Sequence, residues 1–253
     1  MKFTQTVFSE FAVLPVPRYR HGRDARVTTC VLMPESAEPL KTSPHFDPRP
    51  DRKPGIRALK AFNRVLCRCY HHLTVLAPPQ IPDTGAAILI SNHTSGLDPF
   101  LLQSACKRVI VWKMAKEYYE LRAFRRMFKM LEAIPVDRAA RDTGALRSAL
   151  RALQEGRVLG VFPEGRISTQ RPQILPFQPG VAQMAIKTGA PVCPAFLDGT
   201  QYGLSDMTPA FLRRQIATVR FGPAVELDRT SSSRDALHAA TSVLHAAVER
   251  LKT

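Results

Sequence analysis

His93 and Asp98 stand five residues apart in the run Ser91-Asn92-His93-Thr94-Ser95-Gly96-Leu97-Asp98-Pro99-Phe100. Histidine is the side chain that ordinarily titrates near neutrality, and a carboxylate that accepts its N–H decides which ring nitrogen is basic. The same logic orients the base of hydrolytic triads. No Ser or Cys nucleophile is needed here if the attacking group belongs to the substrate. Asp98 also has a purely structural reading. Proline suits the first position of a helix and keeps the residue before it out of the helical region, so Asp98 is an N-cap candidate whose oxygens accept hydrogen bonds from the first turn. A carboxylate has two oxygens, and the two roles are compatible.

Two further segments end apolar stretches in chemically useful residues. Gly160-Val161-Phe162-Pro163-Glu164-Gly165-Arg166-Ile167-Ser168 reads as a strand entering a Pro/Gly loop. Glu164 and Arg166 either close a salt bridge there or face a polar or phosphorylated ligand. Ala133-Ile134-Pro135-Val136-Asp137-Arg138 ends in Arg138, a position usually occupied by a plain surface residue. Cys67, Cys69, His71 and His72 suggest metal ligands by type, but on a helix they point in different directions and no second cluster follows. His238 and His245 read as packing or surface residues, and Trp112 as core.

These segments need elements to position them. Alternating apolar runs and helical periods predict strands over 86–91, 108–112, 157–162, 192–197 and 215–221. Helices are expected over 99–106, 116–131, 143–155, 181–187 and 233–252, with Gly156 and Gly189 as stops. Strand and helix alternate with short links. The expected fold is therefore α/β: a mixed, mostly parallel central sheet covered by helices, with the chemistry in the loops at strand ends. Residues 1–54, rich in Pro and Arg, read as an irregular extension, and 55–253 as the domain.

From Ile56 a helical period puts Ile56, Leu59, Phe62, Leu66, Cys69, Tyr70 and Leu73 on one side, and Arg57, Lys60, Arg64 and Arg68 on the other. That pattern fits a helix lying in a membrane interface, and equally one packed on the domain with a solvated basic face.

Charge sets the partner class. The 253 residues carry a net +15, which calls for an anionic partner: nucleic acid, a phospholipid surface or a phosphorylated substrate. The excess is uneven, +7 before residue 81 and +6 between Lys107 and Lys129, with near neutrality after residue 160. No nucleic-acid motif accompanies it. With 45% hydrophobic residues the chain can bury a core, and it contains no apolar run of spanning length. The first residues lack the apolar block of a signal peptide, and five scattered cysteines fit reduced thiols.

The ordered set Asn92-His93 to Asp98-Pro99, Ile134 to Arg138, Phe162 to Arg166 and Gly189-Ala190-Pro191-Val192-Cys193-Pro194 resembles the glycerophospholipid acyltransferase family, especially the 1-acylglycerol-3-phosphate acyltransferases. The resemblance covers about residues 85–200. It implies a fold like that of glycerol-3-phosphate acyltransferase, with His93 as base and Asp98 as its orienting carboxylate. An acyl group would pass from acyl-CoA or acyl carrier protein, the co-substrate, to the free hydroxyl of a phosphorylated lysolipid, with no further cofactor. Arg138 would hold the acceptor phosphate, Glu164 and Gly165 would shape the acceptor site, and Lys116 falls near a family lysine. Many members have Thr and Arg where this chain has Arg166 and Ile167. Glycerol 3-phosphate, dihydroxyacetone phosphate or an amino-acid lysolipid are alternative acceptors, and a non-catalytic lipid-binding module is a further one. The expected location is the cytoplasmic face of a membrane, peripheral or monotopic, docked on anionic lipid.

Overall fold

Valine and isoleucine crowd the centre of the chain in short runs, and a strand that is apolar at every position must be covered on both faces. The run Ala87–Ser91 meets that condition, since every residue is buried. It forms the second strand in chain order, β2, of a seven-stranded sheet. The computed structural model describes residues 53–120, 125–136, 143–169, 174–201, 203, 207–230 and 233–252. The expected extension over 1–54 falls almost wholly outside them.

The strands are β1 Thr74–Ala77, β2, β3 Ile110–Ala115, β4 Ile134–Val136, β5 Val158–Val161, β6 Val192–Asp198 and β7 Thr218–Phe221, in the sheet order β1-β7-β6-β2-β5-β3-β4. The block from β6 to β4 is parallel throughout, and the β6–β7 pairing is antiparallel. The helices are α1 Pro54–Val65, α2 Asp98–Ala105, α3 Lys116–Tyr119, α4 Arg125–Met130, α5 Thr143–Gln154, α6 Gly180–Thr188, α7 Met207–Leu212 and α8 Arg234–Glu249. The mixed, mostly parallel α/β sheet is the architecture expected from the sequence.

Side chains alternate across each strand, so Ile88 and Ile90 enter the core under α5, α6 and α8, while Ala87 and Leu89 enter the core with α2 residues Leu101 and Leu102. Three elements differ from the sequence expectation. The basic stretch 116–131 is not one helix; its described parts form the short α3 and α4. Thr74–Ala77 adds a strand whose half-exposed pattern gave no apolar run to read, and α7 follows residues too mixed to show a period.

The helix beginning at Pro54 widens into a π-turn at Leu66–Tyr70. It buries Ile56, Asn63 and Cys67, with the Asn63 amide donating to Phe100 O at 2.9 Å. The expected apolar side is thereby divided, because Ile56 and Leu73 are buried while Phe62 is 64% and Tyr70 40% exposed. His71 is buried edge-on against the rings of Tyr70 and Phe211 while Cys69 faces outward, which separates the cysteines and histidines of that segment.

Gly160 on β5 has one function in this packing. A Cβ there would lie 2.4 Å from a ring carbon of Trp112 and 2.7 Å from Ile110 Cγ2, so only glycine lets Trp112 lie flat on the neighbouring strand. Gly160→Ala is expected to destabilise the fold by about 1–3 kcal/mol through this overpacking. Urea unfolding followed by circular dichroism measures it, and an unchanged midpoint would contradict the close contact.

Candidate active site

Parallel strands place the loops at their C-terminal ends on one edge of the sheet, where open α/β folds bind ligands. Here the loops after β2, β5 and β6 converge. His93 O accepts the Ser168 amide at 2.7 Å, and Thr94 O accepts the Gly203 amide at 3.1 Å. Asn92 ties the β2 end to β6 in both directions, donating to Leu197 O and accepting from Leu197 N, each at 2.8 Å. The position of His93 is therefore fixed by backbone from three strand ends.

His93 Nδ1 lies 2.9 Å from Asp98 Oδ2. A carboxylate only accepts, so the proton between them sits on Nδ1 and Nε2 is the basic nitrogen. Asp98 is 0% exposed, and the same Oδ2 accepts the amides of Thr94 at 2.7 Å and Ser95 at 2.9 Å. Thr94 Oγ1 reaches Oδ1 at 3.3 Å and also meets the hydroxyl of Thr200. These contacts correct the capping expectation. Asp98 is the first residue of α2, after Leu97, and makes no side-chain cap. Its carboxylate turns back onto the preceding loop, because the donors it needs are the loop amides that also set the His93 backbone.

The imidazole is stacked on Phe162, with ring centroids 3.9 Å apart and planes 9° from parallel, and Phe162 is stacked in turn on Trp112 at 5.1 Å. This aromatic platform, which residue spacing alone did not reveal, leaves the ring one edge for Asp98 and one for a reacting group. Phe162 opens the Phe162 to Arg166 motif, and that membership was its signal in the sequence.

Glu164 is buried, and its Oε1 accepts the His93 amide at 3.0 Å. Its Oε2 is buried with no hydrogen-bond partner among the described residues. Burial pushes the Glu164 carboxyl up to about 7, and the nearby Asp98 charge adds to that rise, while the amides of His93 and Leu175 and the Arg166 guanidinium oppose it. Of the two readings of this segment, the direct Glu164–Arg166 salt bridge is not among the ion pairs of the described residues. Gly165, at φ +72°, turns the loop in a conformation that side chains resist. Together Glu164, Gly165, exposed Arg166 and Gln178 border a pocket of about 520 Å³.

Four of the residues read from the sequence, His93, Asp98, Glu164 and Gly165, are thus assembled, with Arg166 beside them. Lys116 follows β3 on the same sheet edge, but it is 60% exposed and pairs with Glu120 at 3.9 Å. Arg138 lies outside the described residues.

Residues 72–198 match the model of the family described as Acyltransferase. The chain is similar to the 1-acyl-sn-glycerol-3-phosphate acyltransferase of Helicobacter pylori, 29% identical over 139 residues that make up 53% of this chain and 59% of that protein. It is 25% identical over 124 residues to the protein of the same name in Bacillus subtilis, covering 49% of this chain and 61% of the relative. The chain thus spans between half and two thirds of the length of these curated relatives. Its fold is similar to the crystal structure of the 1-acyl-sn-glycerophosphate (LPA) acyltransferase from Thermotoga maritima, with a TM-score of 0.57 at 21% identity over 78% of this chain and 80% of that one.

The raised Glu164 carboxyl makes a signed prediction. The folded protein binds this proton more tightly than the unfolded chain, so the contribution is complete below the ordinary range, near 4.5, and is lost as pH rises through about 7. Glu164→Gln keeps the acceptor for the His93 amide and removes the ionisation. Its stability relative to wild type should therefore climb between pH 4.5 and 7 and level off above. Thermal melts across that range read the difference, and a constant offset would show that Glu164 is not buried as the acid.

Proposed function

The chain belongs to the acyltransferase family, and from that premise we propose that it moves a fatty acyl group from a thioester, acyl-CoA or acyl carrier protein, to the free hydroxyl of 1-acylglycerol 3-phosphate, giving phosphatidate. The observation that carries the reading is the 2.9 Å contact of His93 with a buried Asp98 at the meeting point of three strand-end loops.

In this mechanism Nε2 of His93 takes the proton of the acceptor hydroxyl as its oxygen attacks the thioester carbon. The C–O bond forms, the C–S bond breaks, and the imidazolium returns the proton to the departing sulfur. Asp98 holds the ring and offsets its transient positive charge. General-base catalysis of this kind contributes ~10²- to 10⁴-fold in rate. Arg166 meets the acceptor phosphate at the rim of the pocket beside Glu164. Arg138 has the same part by family resemblance.

A water-insoluble acceptor requires a surface, and α1 is suited to one. Its narrow inner edge packs on α2, whereas Ala58, Ala61, Phe62, Val65 and Cys69 form an exposed apolar outer face. Arg57 and Arg68 flank that face. Tyr70, whose hydroxyl donates to Leu212 O at 2.6 Å, links it to the exposed Leu212. Beside it, Leu59, Phe62, Leu66, Phe100, Phe211 and Leu212 line a groove of about 350 Å³. Among the described residues no helix is long and apolar enough to cross a membrane. The proposal is that α1 lies on the anionic cytoplasmic leaflet, apolar face down and basic residues at the head groups.

Acyl transfer from a donor panel to lysophospholipids tests the reaction. His93→Ala is expected to lose at least 10²-fold in kcat, and Arg166→Ala to raise KM for phosphate-bearing acceptors more than for others. Full activity of His93→Ala ends the mechanism. For docking, the double substitution Phe62→Ser/Val65→Ser should cut co-sedimentation with anionic vesicles more than tenfold, given ~1.5–3 kcal/mol per large apolar side chain. Unchanged co-sedimentation would place the membrane contact elsewhere.

A further inference from the structure

A second cleft, of about 590 Å³, lies between the segment 174–179 and one face of α8. Its α8 wall carries Arg234, His238, Thr241 and His245, whose spacing of four, three and four residues makes a single stripe along the helix. The opposite wall is apolar, with Ile174, Pro176 and Phe177. Packing accounts for only part of the stripe: His245 meets the Phe177 ring edge-on at 4.8 Å, while His238 and Arg234 are exposed.

The hydroxyls of Thr241 and Ser242 donate to the helix carbonyls Leu237 O and His238 O, so the groups left to meet a ligand are basic. Among the described residues no Asp or Glu lines the cleft; Asp235 falls on a different face of α8. Pro176 borders both this cleft and the pocket at Glu164, Gly165 and Arg166, so the two spaces adjoin. The pair therefore suits a ligand that reacts at one end and is anionic and aromatic at the other.

Resting on the acyl-transfer reading, we propose that this cleft holds the nucleotide end of a coenzyme A thioester. Its phosphates lie against Arg234 and His238 in the first two turns of α8, where the helix N–H groups add positive potential. The base lies on the apolar wall beside Phe177 and His245. The uncharged pantetheine arm crosses Pro176 and Gly165 and delivers the thioester to His93. The inference assigns the donor to coenzyme A, whose nucleotide a bounded cleft with two cations and an apolar wall can hold.

The experiment measures binding of desulfo-CoA, which cannot carry an acyl group, by calorimetry. Arg234→Glu/His238→Glu should weaken binding at least tenfold, and Lys187→Glu, an exposed cation on α6 outside the cleft, should bind as wild type does. In turnover the double substitution should raise KM for acyl-CoA well above any rise for an acyl-pantetheine lacking the nucleotide. Equal desulfo-CoA affinity of wild type and double variant overturns the assignment. So does a wild type that binds no desulfo-CoA and accepts acyl groups only from a carrier protein. A wild type that transfers from no thioester, yet binds desulfo-CoA through Arg234 and His238, keeps this cleft and overturns the reaction instead.

Discussion

The buried carboxylate of Asp98 is the constraint on which the site depends. A carboxylate with no exposure is tolerated only where donors replace the water it has lost. One oxygen of Asp98 accepts from Thr94 N, Ser95 N and His93 Nδ1, so the same atom that fixes the imidazole also fixes the loop that carries it. Ring orientation and loop conformation are therefore one interaction. The carboxylate that satisfies the amides is already aligned to stabilise an imidazolium, with no rearrangement during a reaction.

The sheet provides the rigid frame for that contact. Because β6, β2 and β5 are parallel neighbours, their following loops emerge on one edge, where Ser168 and Gly203 bond to the backbone of His93 and Thr94. Beneath the imidazole, Phe162 and Trp112 extend the stack down into the core, and Gly160 leaves the space that Trp112 fills. Strand packing thus reaches the histidine through two aromatic rings.

Surface chemistry divides along the same frame. The face bearing α1 and α7 presents apolar side chains with arginines beside them, and the α8 side presents Arg234 and His238 over an apolar wall. These are different partners in kind. An extended apolar face suits a lipid surface, whereas a bounded cleft with a few cations suits a small anion. The net +15 is accordingly not one attraction but several local ones.

By itself the sequence determined the elements with strong periodicity and the motif residues, because burial on both faces keeps β2 apolar from Ala87 to Ile90 and because Gly189, at φ +70°, marks a helix end locally. His93, Asp98, Glu164 and Gly165 were readable singly from their place at strand ends, and as a set from the family resemblance. Only the tertiary structure decided what these groups do to one another. The direction in which the Asp98 carboxylate turns, the burial that raises Glu164, the ring under His93 and the face of α1 left uncovered all depend on contacts between residues distant in the chain. Periodicity reports that a side chain is apolar or charged, but burial and partnership are properties of the neighbours that folding brings to it.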